Sequence, residues 1–379
     1  DLTSSTSHVI NLTNLQPNTK YYYTIGSATR QLQGDATNFF VTPPVPGAEG
    51  KYNFWLVGDC GNNSTNQKNV RDAYINYMGS NVTNGWLLLG DNAYSSGTET
   101  EYQSQFFDVY QGTVSKNMPL YPAPGNHDYN NGSLFDHSVP YYSIFDMPAN
   151  GEAGGVASNT EAYYSYDYGN IHFLSLDSYG KEDGVNRLYD TLGVQVQWIK
   201  QDLAANTKKW VVAYWHHPPY TMGSHNSDTE SDLTKMHTNF IRILERYKVD
   251  LIVCGHSHEY ERSKLIQGHY GNEASFNPTT HNRSQSNGRY DGTTNSCTYM
   301  KDSTHTYDGT VYVVSGSAGQ LDANVQSAWP HNAMSAYNNS TNGGSMLLTV
   351  EGGRLDAKWV CADGVVRVSV YHDQRCKQG

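Results

Sequence analysis

Asn53-Phe54-Trp55-Leu56-Val57-Gly58-Asp59 is a short apolar run that stops at a glycine and a carboxylate. Such a run without polar alternation reads as a buried strand. Residues 67–78 then carry apolar side chains at helical spacing, and residues 86–89 form the next apolar run. Strand, helix and strand in succession imply βαβ units and a largely parallel sheet, whose ligands sit at the carboxyl ends of the strands. Polar residues fall at those ends. Asp59 follows the first strand, Asp91 the second, Asn126 the run Leu120-Tyr121, His216 the run 210–215 and His256 the run 251–254.

Working outward from this unit, residues 8–44 read differently. His8-Val9-Ile10-Asn11-Leu12, Tyr21-Tyr22-Tyr23-Thr24-Ile25 and Asn38-Phe39-Phe40-Val41 are β-branched or aromatic runs separated by Gly, Asn and Pro, and are expected to be strands. Leu15-Gln16-Pro17-Asn18-Thr19-Lys20-Tyr21 resembles the tyrosine-corner turn of fibronectin type III domains. Residues 1–44 are therefore expected to be the C-terminal part of an all-β fibronectin type III-like sandwich. A full sandwich needs about a hundred residues, so Asp1 is not expected to be the native start. Residues 45–50, reached through Pro43 and Pro44 and holding Pro46, read as a linker, and 51–379 as the catalytic domain. Residues 276–306 read as a long surface loop; 311–315, 346–350 and 355–360 read as strands, with Asp363-Gly364 as a hairpin turn.

Composition narrows the function class. Charged residues make up 16% of the 379, while 30 Tyr and 35 Gly stand among many Asn, Ser and Thr. Solubility thus rests on neutral polar groups, which suits a secreted, extracellular or periplasmic protein. A net charge of −11 without a basic run excludes a general binder of nucleic acid or anionic membrane. No apolar stretch approaches the roughly 18 residues needed to span a bilayer. Five cysteines, 60, 254, 297, 361 and 376, leave at least one unpaired within the chain. Cys361 and Cys376 flank a strand, turn and strand and are candidates either for a small disulfide loop or for reduced packing residues. Sequons at Asn11, Asn62, Asn63, Asn81, Asn131, Asn282, Asn338 and Asn339 allow a glycoprotein.

Five blocks carry the chemistry: Gly58-Asp59-Cys60-Gly61, Gly90-Asp91-Asn92-Ala93-Tyr94, Gly125-Asn126-His127-Asp128, His216-His217-Pro218 and Gly255-His256-Ser257-His258. Alone, each Gly-Asp or Gly-Asn pair is ordinary turn chemistry. Together they offer three carboxylate or carboxamide groups, one phenol and three imidazoles, the donor set of a two-metal hydrolytic site.

In this order the blocks resemble the calcineurin-like metallophosphoesterases, and Tyr94 narrows the resemblance to the purple acid phosphatases. It covers residues 51–365 and implies an α/β fold, a four-layer αββα sandwich. It also implies Fe(III) held by Asp59, Asp91, Tyr94 and His258, and a divalent ion (Zn, Fe or Mn) held by Asp91, Asn126, His216 and His256. The physics agrees: Asp91 as a bridge offsets the repulsion of two cations, and a phenol of reference pKa about 10 ionises in acid only on a strong Lewis acid. The resemblance further implies that His127 and His225 contact phosphate and leaving group. Asp128, next to His127, is expected to orient it. Asn226 stands where some relatives carry a second histidine. Cys60 and Cys254 are not expected ligands, and Tyr260, Glu261 and Arg262 read as supporting residues.

The implied activity is hydrolysis of small phosphate monoesters, an acid phosphatase reaction with in-line attack of a metal-activated hydroxide. Diesterase, nucleotidase and phytase activities share the motif set and differ in the loops 223–232 and 276–306. A non-catalytic secreted adhesion protein is the alternative of another class.

Overall fold

A computed structural model of the chain describes residues 8–373 apart from 133–134, 136, 301–308 and 339–340. Cys376, His305 and Asn339 lie outside the described residues. Four short N-terminal strands, β1 (Lys20–Tyr22), β2 (Ile25–Gly26), β3 (Gln31–Gln33) and β4 (Phe39–Val41), form two antiparallel pairs, β1 with β4 and β2 with β3. The Tyr21 hydroxyl accepts a hydrogen bond from the Gln16 amide at 2.7 Å, the contact expected of the corner turn. The strand expected at His8 to Leu12 does not form. Val9, Ile10 and Leu12 are exposed, and among the described residues this stretch finds no strand to ladder with.

From Lys51 onward the chain builds two seven-stranded sheets. The first holds β5 (Lys51–Val57), β6 (Gly85–Leu89) and β7 (Leu120–Ala123) in parallel order. The second holds β8 (Tyr164–Tyr168), β9 (Ile171–Ser175), β10 (Trp210–Trp215), β11 (Leu251–Cys254), β12 (Tyr260–Ser263), β14 (Val311–Ser315) and β15 (Met334–Asn338), in the order β15-β12-β14-β11-β10-β9-β8. The first is completed by β16 (Gly344–Glu351), β17 (Arg354–Cys361) and β18 (Val366–Asp373), which add antiparallel beside β5, and by the edge strand β13 (Tyr299–Met300). Among the described residues of the loop expected at 276–306, β13 and the single-turn helix Pro278–His281 are regular elements.

Alternation along each strand sorts side chains into layers. In β10, Trp210, Val212 and Tyr214 join the core between the sheets, while Val211, Ala213 and Trp215 join the core beneath the outer helices. The inner layer is aromatic: Phe54 meets Phe173 at 4.8 Å, and Tyr121 stacks on Tyr166 at 4.1 Å. On the outer face of the first sheet, Trp55 stacks on Tyr74 of the helix Thr65–Met78 at 4.4 Å. On the outer face of the second, Trp215 packs edge-on against Phe240. Helix, sheet, sheet and helix thus make the four layers that the resemblance implies. Strands β5, β6, β7, β10, β11 and β14 all present their carboxyl ends to one rim.

Candidate metal centre

Three of the sequence-marked residues leave their strands in the left-handed backbone region: Asp59 (φ 56°), Asp91 (φ 53°) and His256 (φ 69°). For residues with a β-carbon this costs on the order of 1 kcal/mol each. The turn redirects each side chain toward the rim. Tight neighbours fix the turns: a β-carbon on Gly125 would stand 2.2 Å from Asp91 Oδ1, and one on Gly90 (φ 89°) would meet the His216 ring at 2.6 Å.

Asp91 lies at the middle of the group. Its Oδ2 is 3.1 Å from His216 Nε2 and accepts from the Tyr94 hydroxyl at 3.2 Å, while its Oδ1 accepts from the His127 amide at 2.9 Å. Tyr94 also donates to Asp59 Oδ1 at 2.9 Å, and His258 Nε2 lies 3.6 Å from that oxygen. His256 Nδ1 is 3.2 Å from His216 Nε2, and donor atoms of Asp91, His216 and His256 all fall within 4.8 Å of one another. The buried Asn126 Oδ1 has no hydrogen-bond partner, while its amide nitrogen donates to Asn131 at 2.7 Å. The structure therefore brings all seven expected ligands to one rim.

The donor chemistry fits a cation. His216 Nδ1 faces the Leu89 carbonyl at 2.9 Å and can only donate there, which leaves Nε2 as the lone-pair nitrogen. That lone pair meets a carboxylate oxygen at 3.1 Å, and two acceptors so close need a proton or a metal ion between them. The fields say the same. Burial opposes charge on His216, but Asp91 and Asp59 outweigh it and push the imidazole up to about 9. For Asp91, burial acts upward and is outweighed by His216 and His127, so its carboxyl lies below the usual range. Burial, then Asp59 and Asp91, push the Tyr94 phenol well above its ordinary value, the shift that a bound cation would reverse.

His225 borders a cleft of about 380 Å³ that also includes Asn126, Tyr179 and His256 in its lining, while the His127 ring lies against Tyr94, with centres 4.5 Å apart. His127 Nδ1 is held by the Ser95 carbonyl, and His225 Nδ1 lies 2.8 Å from Glu230 Oε2. His225 also stacks on His256 with ring centres 3.7 Å apart. One expectation is corrected. Asp128 does not orient His127; its buried carboxylate accepts from Gly125 N at 2.7 Å, from Asn92 N at 3.1 Å and from the Tyr102 hydroxyl. Ring geometry points the imidazole toward Ser95 instead, so Asp128 fastens together the two loops that carry Asp91 and Asn126. Burial, then Asp91, raise its carboxyl to about 7. The orienting groups Leu89 O, Ser95 O and Glu230 escaped the sequence reading. Two are backbone carbonyls, which leave no residue signature, and Glu230 looks like any loop carboxylate.

The family profile of the calcineurin-like phosphoesterases matches residues 52–260. The chain belongs to that family. Membership implies a binuclear metal centre, and the donor set above accommodates one. Among curated relatives it is 29% identical over 289 residues to purple acid phosphatase 15 and 30% identical over 274 residues to purple acid phosphatase 22, both of Arabidopsis thaliana. Each alignment covers 70% of this chain, but 51% and 55% of the respective relative, so the chain spans about half their length. A purple acid phosphatase from yellow lupin (Lupinus luteus) seeds shares the fold, with a TM-score of 0.71 and 19% identity over 95% of this chain and 61% of that one. So does GAP50, the anchor in the inner membrane complex of Plasmodium, with a TM-score of 0.55 and 12% identity over 86% of this chain and 90% of that one. Among the described residues no helix is long and apolar enough to cross a membrane.

Proposed function

We propose that this chain is the catalytic part of an acid phosphatase that hydrolyses small phosphate monoesters at a binuclear metal centre, in a secreted or periplasmic setting. One observation carries the reading: donor atoms of Asp91, His216 and His256 converge within 4.8 Å of one another, as ligands of one cation would. Because the fold also serves an anchor in Plasmodium, the donor set and not the fold supports an enzyme. Asp59, Asp91, Tyr94 and His258 would hold an Fe(III), and Asp91, Asn126, His216 and His256 a divalent ion. Such a pair supplies Lewis acidity toward phosphate oxygens and lowers the pKa of water.

The protein's own groups do the rest. His127, tethered through Nδ1 to the Ser95 carbonyl, has its Nε2 3.8 Å from Asp91 Oδ2, beside the proposed metal pair, which is where it is proposed to meet the bound phosphate. His225, tethered by Glu230, keeps Nε2 for the departing alkoxide and delivers its proton there. Both rings are fixed by those tethers before substrate arrives, so little rotational freedom is lost on binding. Residues 1–44 are proposed to be a fibronectin type III-like part joined by the linker 45–50 to the catalytic domain 51–379.

The test is phosphate release at mildly acid pH by metal-loaded protein, given an aryl monoester and the matching diester. Faster turnover of the monoester is expected. Preference for the diester would move the assignment to the phosphodiesterases, and turnover of neither would favour the non-catalytic reading.

A further inference from the structure

Glu259 is a fully buried carboxylate one residue beyond the metal-site histidines, and the chemistry described so far does not use it. Its Oε2 accepts from the Ser257 hydroxyl at 2.8 Å, the Ser224 amide at 3.0 Å and the Ser224 hydroxyl at 3.3 Å. Each partner passes the contact on. Ser224 Oγ accepts from the His258 amide at 3.0 Å, and Ser224 itself is the residue before His225. Ser257 Oγ accepts from the Thr221 hydroxyl at 2.9 Å and lies 3.5 Å from the His225 amide. Thr221 Oγ1 in turn takes the Gly223 amide at 3.1 Å. Donors and acceptors agree along the whole path, so this carboxylate oxygen anchors the residues flanking His225, while Glu261 Oε1 holds the same loop further back through the Met222 amide at 3.2 Å.

The approach is close as well. A β-carbon on Gly223 would stand 2.1 Å from Glu259 Oε2, so the loop can pass here only as glycine. A buried charge is costly unless several donors meet it, and these donors come from the loop that carries His225 and from the strand end that carries His258. Removing the carboxylate leaves two hydroxyls and one amide without their acceptor, while His225 keeps its own tether to Glu230.

We infer that Glu259 is a positioning residue: through Ser224 and Ser257 it sets the height of His225 over the cleft, and so controls proton delivery to the leaving group. This rests on the role of His225 proposed above. Leaving-group dependence separates positioning from a merely structural part. An activated aryl phosphate departs without a proton, whereas an alkyl phosphate needs one.

The experiment compares metal-loaded wild type with Glu259→Ala, Glu259→Gln, Ser224→Ala and His225→Ala on an alkyl and an activated aryl monoester, with metal content measured throughout. Displacing the proton donor by about 1 Å costs on the order of 100-fold in turnover. Glu259→Ala is therefore expected to lower kcat on the alkyl ester about 100-fold, and on the aryl ester by less than about threefold, with KM and metal content unchanged. Glu259→Gln keeps the accepting oxygen and is expected to restore most of the loss. Should Glu259→Ala fail to fold, Ser224→Ala carries the same expectation. If His225→Ala shows leaving-group dependence and the Glu259 and Ser224 variants do not, the inference is wrong. If His225→Ala itself shows none, the role of His225 falls first.

Discussion

His172 offers a quantitative check on this architecture away from the metal centre. Its Nδ1 lies 2.9 Å from Asp167 Oδ1 and its Nε2 lies 2.7 Å from Asp202 Oδ2, with the ring almost wholly buried. A neutral imidazole donates from one nitrogen only, so holding both carboxylates requires the imidazolium. Asp167 and His172 sit on the paired strands β8 and β9, and Asp202 on the helix Val194–Ala205, so the charge ties the sheet edge to the helix covering it. The other groups at hand are Lys208, whose Nζ is 2.8 Å from Asp167 Oδ2, and Ser165, which donates to Asp202 Oδ1. Burial alone would lower the His172 pKa, but the two carboxylates outweigh it and raise it from 6.5 to about 9.

At about 1.4 kcal/mol for each tenfold change in proton affinity, that rise is worth about 3 kcal/mol. The sign follows from the direction. The folded pKa exceeds the unfolded one, so the stabilisation is complete below 6.5 and is lost as pH rises through about 9. His172→Gln keeps the size and one donor but carries no charge to lose. Denaturant unfolding of both proteins across this window should show their stability difference shrinking by about 3 kcal/mol on the alkaline side. Parallel pH profiles for the two would show that His172 is not an imidazolium and would refute the reasoning.

At the metal centre, Asp91→Ala removes the one carboxylate within reach of Tyr94, His127 and His216. It should lower metal content and cut turnover by on the order of 10³-fold, and retention of both would disprove the bridging role. Tyr94→Phe should abolish visible absorption from a phenolate on Fe(III) while the iron stays bound, as a spectrum paired with metal analysis would show. The cleft is lined by Glu230 and by Asp232, which pairs with Arg187 behind it, and no Lys or Arg is among its described lining residues. Inositol hexaphosphate and nucleoside triphosphates should therefore show kcat/KM about tenfold or more below a simple aryl monophosphate, most of all at low ionic strength. Equal values would mean that positive charge reaches these substrates from outside the cleft.

The sequence could disclose this site because its ligands stand where parallel strands end, and a buried strand announces its own end. After the apolar run 54–57 or 210–215, the first polar residue must lie on the rim. Five such rims in one chain therefore converge, whatever the loops between them do. The tethers behind the ligands were hidden for the opposite reason. His216 is aimed by the carbonyl of Leu89 and His127 by the carbonyl of Ser95, residues distant in sequence whose identity is immaterial to the bond. For Asp128, adjacency to His127 in sequence does not give adjacency in space. On an irregular loop neighbouring side chains diverge, and here one turns inward to Gly125 and Asn92 while the other turns its ring to the Ser95 carbonyl. His8 to Leu12 failed as a strand on similar grounds, since β-propensity states how well a residue fits a sheet and supplies no partner to pair with. What a sequence states most clearly is thus where a chain must stop being apolar. Which neighbour then orients each polar group depends on contacts between distant segments, and there the carboxylate of Glu259, flanked by histidines and glutamate in an ordinary-looking motif, holds two of them at once.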